Sequence, residues 1–315
     1  MSLKTDLCKI LDIEKPIIQG GMAWVATGEL AAAVSQAGGL GVIGAGNAPA
    51  DVIEEEIDKV RSLTDKAFGL NIMLLSPFAD DIIELAIKKK VPVITTGAGN
   101  PGKHVKRFQE NGSKVIPVVP SVALARRMER LDVDAVIVEG TEAGGHVGEL
   151  TTMALVPQVV DAVDIPVIAA GGVADGRGLA AVLALGASGA QIGTRFVCST
   201  ECTASEEYKK AIINARDRDA VVTGRSTGHP VRNLKNSLTR KLDKMEREGA
   251  DPEEIEEVGS GKLRDAVVDG DTKEGSVMAG QVSGMVSEVK DVKEIIDDIM
   301  AQTEEVLTEK FKLIK

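Results

Sequence analysis

Aromatic side chains are scarce in this chain: they make up 2% of 315 residues, with one Trp and one Tyr. Proteins that hold single-stranded nucleic acid stack its bases on aromatic platforms, so that class is disfavoured. An excess of positive charge is also missing. The net charge of −11 would repel a phosphate backbone. No apolar run approaches membrane-spanning length, and "MSLKTDLCKILDIEKPIIQGG" has no apolar signal segment ahead of a cleavage site. The three cysteines, Cys8, Cys198 and Cys202, are scattered and lack the second Cys/His pair of a zinc site. They read as free thiols of a reducing compartment. A soluble cytoplasmic protein with no metal centre, no nucleic acid and no membrane partner is expected.

What remains to build a core is aliphatic, and it is arranged with a period. Eight strand-like runs follow one another: Pro16–Gly20, Leu40–Gly44, Phe68–Leu74, Val91–Thr95, Lys114–Val119, Ala135–Glu139, Pro166–Ala170 and Gly189–Phe196. Helical patterns such as Ala50–Leu63, Asp80–Lys89, Ser121–Leu131 and Gly178–Leu185 lie between them. Continuous aliphatic strands suit a parallel sheet buried on both faces. The alternation predicts an α/β chain folded as a (β/α)8 TIM barrel.

Nearly every run ends in glycine or a small polar residue, as in "QGGM", "TTGAGN", "VEGTEAGG" and "AAGGVADG". In such a barrel the C-terminal strand ends form the active-site face, and glycine there lets backbone approach a ligand. From about Asp217 the pattern becomes charged and irregular, with helix-like stretches at "PVRNLKNSLTRKLDKMEREG" and "DPEEIEEVG". Residues 218–274 therefore read as a small C-terminal lid subdomain on a barrel of residues 1–217 and 275–315. Val289–Lys315 reads as an amphipathic terminal helix.

"GLGVIG" (Gly39–Gly44) matches the spacing of a dinucleotide fingerprint, but its middle is itself the strand, so the required strand-then-helix context is absent. The glycine-rich turns after the seventh and eighth runs fall where many barrels bind phosphate, making Gly171, Gly172, Gly193 and Thr194 candidates. His146 sits in "EAGGHVG", which offers no apolar face to pack an imidazole, and it follows the sixth run at the functional end. An imidazole there suits acid–base work or a substrate contact. His104 lies on a helical pattern and reads as solvated surface, while His229 lies in the lid. Glu139 and Asn71 place polar groups in aliphatic runs, where each needs a partner. They could orient a heterocycle or close an internal hydrogen-bond network. "MAGQ" (Met278–Gln281) is a weak signal by itself.

Taken together, "IIQGGMAWVATGELAAAVSQAGGLGVIGAGNAP", "FGLNIMLLSPF", "TTGAGNP", "EGTEAGGHVGELTTM", "PVIAAGGVADGRG", "QIGTRF", "GHPVRNLKN" and "GSVMAGQ" resemble the FMN-dependent enoyl-acyl-carrier-protein reductase II group of the nitronate monooxygenase (2-nitropropane dioxygenase) superfamily. The resemblance runs from about residue 10 to 285. It implies FMN across the strand ends, with Gly21, Met22 and Ala23 in the flavin region and Asn71 and Glu139 beneath it. Gly171, Gly172, Gly193 and Thr194 would hold the phosphate, and Met278, Ala279, Gly280 and Gln281 the isoalloxazine side. His146 matches the active-site histidine. NADH or NADPH would be the reductant, and members respond to potassium or ammonium. Val147 and "LTTM" resemble the reductases, whereas nitronate monooxygenases often carry a large basic residue after the histidine.

The implied reaction is reduction of an enoyl thioester carried by acyl-carrier protein. His146 would donate the α-proton or polarise the thioester carbonyl. Between Arg216 and Lys244, eight basic residues oppose Asp217, Asp219 and Asp243, so the segment carries 8 − 3 = +5 in a chain of −11. That suits docking of an acidic carrier protein at Arg225, Arg232 and Lys235. A homodimer is expected. The rival readings are a nitronate monooxygenase, in which His146 abstracts a proton, and a flavin-free barrel that binds a phosphorylated metabolite.

Overall fold

The structure is a computed structural model that describes residues 3–309. In chain order its strands are β1 (Ile17–Gln19), β2 (Val42–Gly44), β3 (Gly69–Met73), β4 (Val93–Gly97), β5 (Lys114–Val119), β6 (Val136–Glu139), β7 (Gly145–His146), β8 (Val167–Ala170), β9 (Gly189–Ile192), β10 (Ala220–Thr223) and β11 (Val231–Leu234). Eight of them form one parallel sheet in the order β1-β9-β8-β6-β5-β4-β3-β2, with helices between successive strands. The fold is the expected (β/α)8 barrel.

Its ends meet at a narrow seam. Ile18 bridges Leu40, and Gln19 N–H donates to Leu40 O at 2.9 Å. The fully buried Gln19 side chain then replaces missing strand pairing. Its Oε1 accepts from Val42 N–H and its Nε2 donates to Val42 O, each at 3.1 Å.

The helices form because their apolar residues recur on one face. In Ala50–Leu63 the buried positions are Ile53, Ile57 and Val60, spaced for one stripe. Asp175 caps Gly176–Ala184 by accepting from Arg177 and Gly178 N–H. The terminal helix Val292–Glu309 lies so close to that helix that a Cβ on Gly176 would stand 2.5 Å from Ile299 O. The sequence pattern for this terminal helix began at Val289, and its last six positions lie outside the described residues.

The barrel interior has two levels. Ile18, Leu40, Val42, Val93, Ile116, Ile137 and Ile168 form one buried cluster with Leu7 and Leu11 of helix Asp6–Leu11. Parallel register then fixes what lies above. Gln191 stands beside Ile18 and Ala170, Glu139 beside Ala170, and Asn71 beside Gly44 and Thr95. Residues two apart share a face, so Asn71, Thr95, Glu139 and Gln191 lie one step nearer the C-terminal ends than Gly69, Val93, Ile137 and Gly189 on the same face of their own strands.

Three expectations need correction. "GTRF" does not extend the last strand: β9 stops at Ile192, and Thr194–Val197 is a helical turn in which Phe196 N–H reaches Gly193 O at 2.8 Å. "PVRN" is not helical. It enters β11, which pairs antiparallel with both β10 and β7, and the helix Ser237–Arg247 begins only after Asn236, whose side chain and Thr239 form a capping box. His104 is not solvated: it is 7% exposed and tilted against Phe108, and its Nδ1 has no partner.

Leu238, Leu242 and Ile255 make a small cluster within residues 218–274, while Leu234, Ala266 and Val267 join the barrel's own core with Phe196 and Tyr208. Cys8, Cys198 and Cys202 are free and buried, and burial pushes the Cys198 thiol up to about 12. Among the described residues no helix is long and apolar enough to cross a membrane.

Candidate active site

The turn after β6 is gripped from three sides. From the barrel, the Glu142 carboxylate accepts from Thr152 N–H at 3.0 and 2.9 Å and from the Thr152 hydroxyl at 3.0 Å, at the start of helix Thr152–Val160. From the C-terminal segment, Gln281 N–H donates to Glu142 O at 2.9 Å, and a Cβ on Gly144 would stand 2.7 Å from the Ala279 carbonyl carbon. From residues 218–274, β11 pairs with β7, setting Val231 opposite His146 and Arg232 opposite Gly145. Gly145 has φ +77°, a conformation that costs glycine least, and it turns the chain into this pairing.

His146 is thereby held at the end of a two-residue strand, with one edge exposed. Desolvation lowers its pKa below the ordinary imidazole value, and the nearby His229 lowers it further. At pH 7 the imidazole is mostly neutral.

Beside it the upper level of the barrel is polar. Asn71 Nδ2 donates to Thr95 Oγ1 at 2.9 Å. The Glu139 carboxylate has no hydrogen bond or ion pair among the described residues, and desolvation alone pushes its carboxyl to about 7. Gln191 Oε1 is buried without a partner. Unpartnered groups of this kind at a functional rim fit a bound heterocycle that supplies the missing donors and acceptors.

The structure brings most sequence candidates together. Gly21 presses on β3 so closely that a Cβ would lie 2.2 Å from Asn71 Cβ. Met22 Sδ is 3.3 Å from the Cβ position of Gly193, and Ala23 Cβ is 2.5 Å from that of Gly46. Gly171 and Gly172 follow β8 with φ of +86° and +76°, and Thr152 Oγ1 lies 2.9 Å from Gly171 O. Thr194 Oγ1 accepts from Gly280 N–H at 3.0 Å, tying the turn after β9 to Met278–Gln281. Met278 bridges Asn233, and its carbonyl accepts from the Tyr208 hydroxyl at 2.9 Å.

The expected docking trio does not hold together. Arg225 and Lys235 are exposed, the latter donating to Arg218 O at 2.5 Å. Arg232 is 5% exposed, and its guanidinium donates inward to Thr141 O and Ala220 O, so it cannot meet a partner protein. Sequence reasoning also passed over Gln191. The criterion that singled out Asn71 and Glu139, a polar side chain within an aliphatic run, would have found it in "GAQIG".

With this geometry in view, the comparisons are specific. A family model described as nitronate monooxygenase matches residues 4–88 and 79–302. The chain belongs to that family. A solved structure, FabK from Thermotoga maritima, is 52% identical with a TM-score of 0.96, covering 99% of this chain and 100% of the other. A (3aS,4S,5R,7aS)-5-hydroxy-7a-methyl-1-oxo-octahydro-1H-indene-4-carboxyl-CoA dehydrogenase of Mycobacterium tuberculosis is 35% identical over 95% of this chain and 96% of its own. A probable nitronate monooxygenase of Staphylococcus saprophyticus is 34% identical over 98% and 99%. The nitronate monooxygenase family and FabK are flavin-dependent, which supports a flavin in this site.

Proposed function

We propose that this protein is an enoyl-acyl-carrier-protein reductase that converts trans-2-enoyl-ACP to acyl-ACP with NADH or NADPH through FMN. The observation that carries the reading is the likeness to FabK, 52% identical along 99% of the chain, against 34–38% for the curated relatives named for other reactions. The mycobacterial relative is itself named for a carboxyl-CoA, which is also a thioester.

Bound FMN would supply the hydride, drawn from the nicotinamide. Gly21, Met22 and Ala23 would border it, Asn71 and Glu139 would meet it from the barrel, and Met278, Ala279, Gly280 and Gln281 would close its side. Gly171, Gly172, Gly193 and Thr194 would hold its phosphate. The chain's own chemistry centres on His146. A neutral imidazole suits a hydrogen bond to the thioester carbonyl as enolate charge grows better than it suits proton donation. Residues 218–274 act as a lid through β11.

The same neutral imidazole also suits a base, which favours nitronate oxidation as the second reading. The test is NADH and NADPH oxidation by the purified yellow holoenzyme, with crotonyl thioester and with nitroalkane, each with and without potassium or ammonium. Oxidation that requires the thioester supports the reductase. Oxygen uptake with nitroalkane and no need for nicotinamide would replace it with the monooxygenase.

A further inference from the structure

Arg232 is a guanidinium that is 5% exposed and forms no ion pair with a carboxylate among the described residues. Its Nε and Nη2 donate to Thr141 O at 3.2 and 2.9 Å, and its Nη1 donates to Ala220 O at 3.3 Å. Glu142, the acid that acts on it electrostatically, commits its carboxylate to Thr152 instead. Enclosing a cation with only carbonyl partners is costly. A planar fork that reaches one carbonyl with two N–H groups and a second carbonyl with another is something lysine cannot reproduce.

What the fork joins is telling. Thr141 belongs to the turn between Glu139 and His146, Ala220 lies in β10, and Arg232 itself stands opposite Gly145. The Val147 N–H bond to Pro230 O at 3.1 Å continues the same seam beyond His146. A two-residue strand has little rigidity of its own, so the orientation of His146 depends on what β11 holds.

We propose that Arg232 is a positioning residue: it locks the Thr141–Gly145 turn to the lid and so aims His146 at the substrate. This rests on the reading of His146 given above, but it applies to whichever turnover the wild-type enzyme performs.

The experiment compares Arg232→Met and Arg232→Lys holoenzymes with wild type in two half-reactions: flavin reduction by NADH, and oxidation of the reduced enzyme by crotonyl thioester. Misplacement by about 1 Å can cost on the order of 100-fold. Reduction by NADH should stay within about twofold, the second step should slow by roughly 10- to 100-fold, and KM for the thioester should change little. Lysine should rescue only weakly. In a His146→Ala background, Arg232→Met should add no further loss, because the two act through one group. Equal slowing of both half-reactions, additive losses in the double variant, or failure of both variants to fold would each overturn the proposal. If wild type ignores the thioester, the functional reading fails, and the same comparison is then made with nitroalkane.

Discussion

The lower and upper levels of the barrel interior are made from different material. Below, Ile18, Val42, Val93, Ile116, Ile137 and Ile168 close on Leu7 and Leu11 with no polar side chain among them. Above stand Thr95 and Glu139, two residues beyond Val93 and Ile137, with Asn71 of β3 and Gln191 of β9; two of the four have unmet hydrogen-bonding capacity. The lower level stabilises the barrel, whereas the upper level costs stability and keeps groups free for a ligand. Barrels commonly divide these tasks between their two ends.

The largest effect expected from disturbing this division lies below. Ile168→Ala leaves a cavity in a fully buried site and should cost about 3–4 kcal/mol in urea denaturation. Flavin content and turnover of the folded fraction should remain near wild type.

Above, the sign should reverse. Desolvation raises the Glu139 carboxyl to about 7 in the folded protein, well above the usual carboxylate range. The native state therefore binds this proton more tightly, and the associated stability, full below the unfolded value, is lost as pH rises through about 7. Allowing for its partial exposure, Glu139→Gln should stabilise the flavin-free protein by about 2 kcal/mol at pH 8 and scarcely at all at pH 4. Thermal melts at both pH values check this, and an equal gain at each would contradict it.

Gln191→Leu removes an unpartnered buried acceptor and should raise flavin-free stability by about 1 kcal/mol while weakening flavin retention on dialysis. The smallest effect belongs to the lid surface. Arg225→Glu with Lys235→Glu should lower kcat/KM for carrier-protein substrate by roughly threefold at low salt, with the difference vanishing at high salt. The rate with a small thioester should not change.

Much of this division can be read in the chain. Runs such as "AVIVE" and "FGLNIML" show the strands, and their one discordant residue marks the functional level. Less legible was everything decided by tertiary pairing. Arg232 looks like surface charge in "PVRNLKN", because nothing local shows that β11 will lie against β7 and bury it. His104 looks solvated beside Lys103 and Arg107, yet its place on the inner stripe with Val105 and Phe108 turns it inward. Gln19 looks like a strand end, and only closure of the barrel shows it sealing the seam.

The central claim is that the open, polar end of the barrel presents His146 to an enoyl thioester. Its most direct test is a single-turnover measurement in which pre-reduced wild type and His146→Ala are mixed with crotonyl thioester. The account predicts oxidation at least roughly 100-fold slower in the variant, with flavin binding and NADH-driven reduction retained. Equal oxidation rates in the two proteins would contradict it.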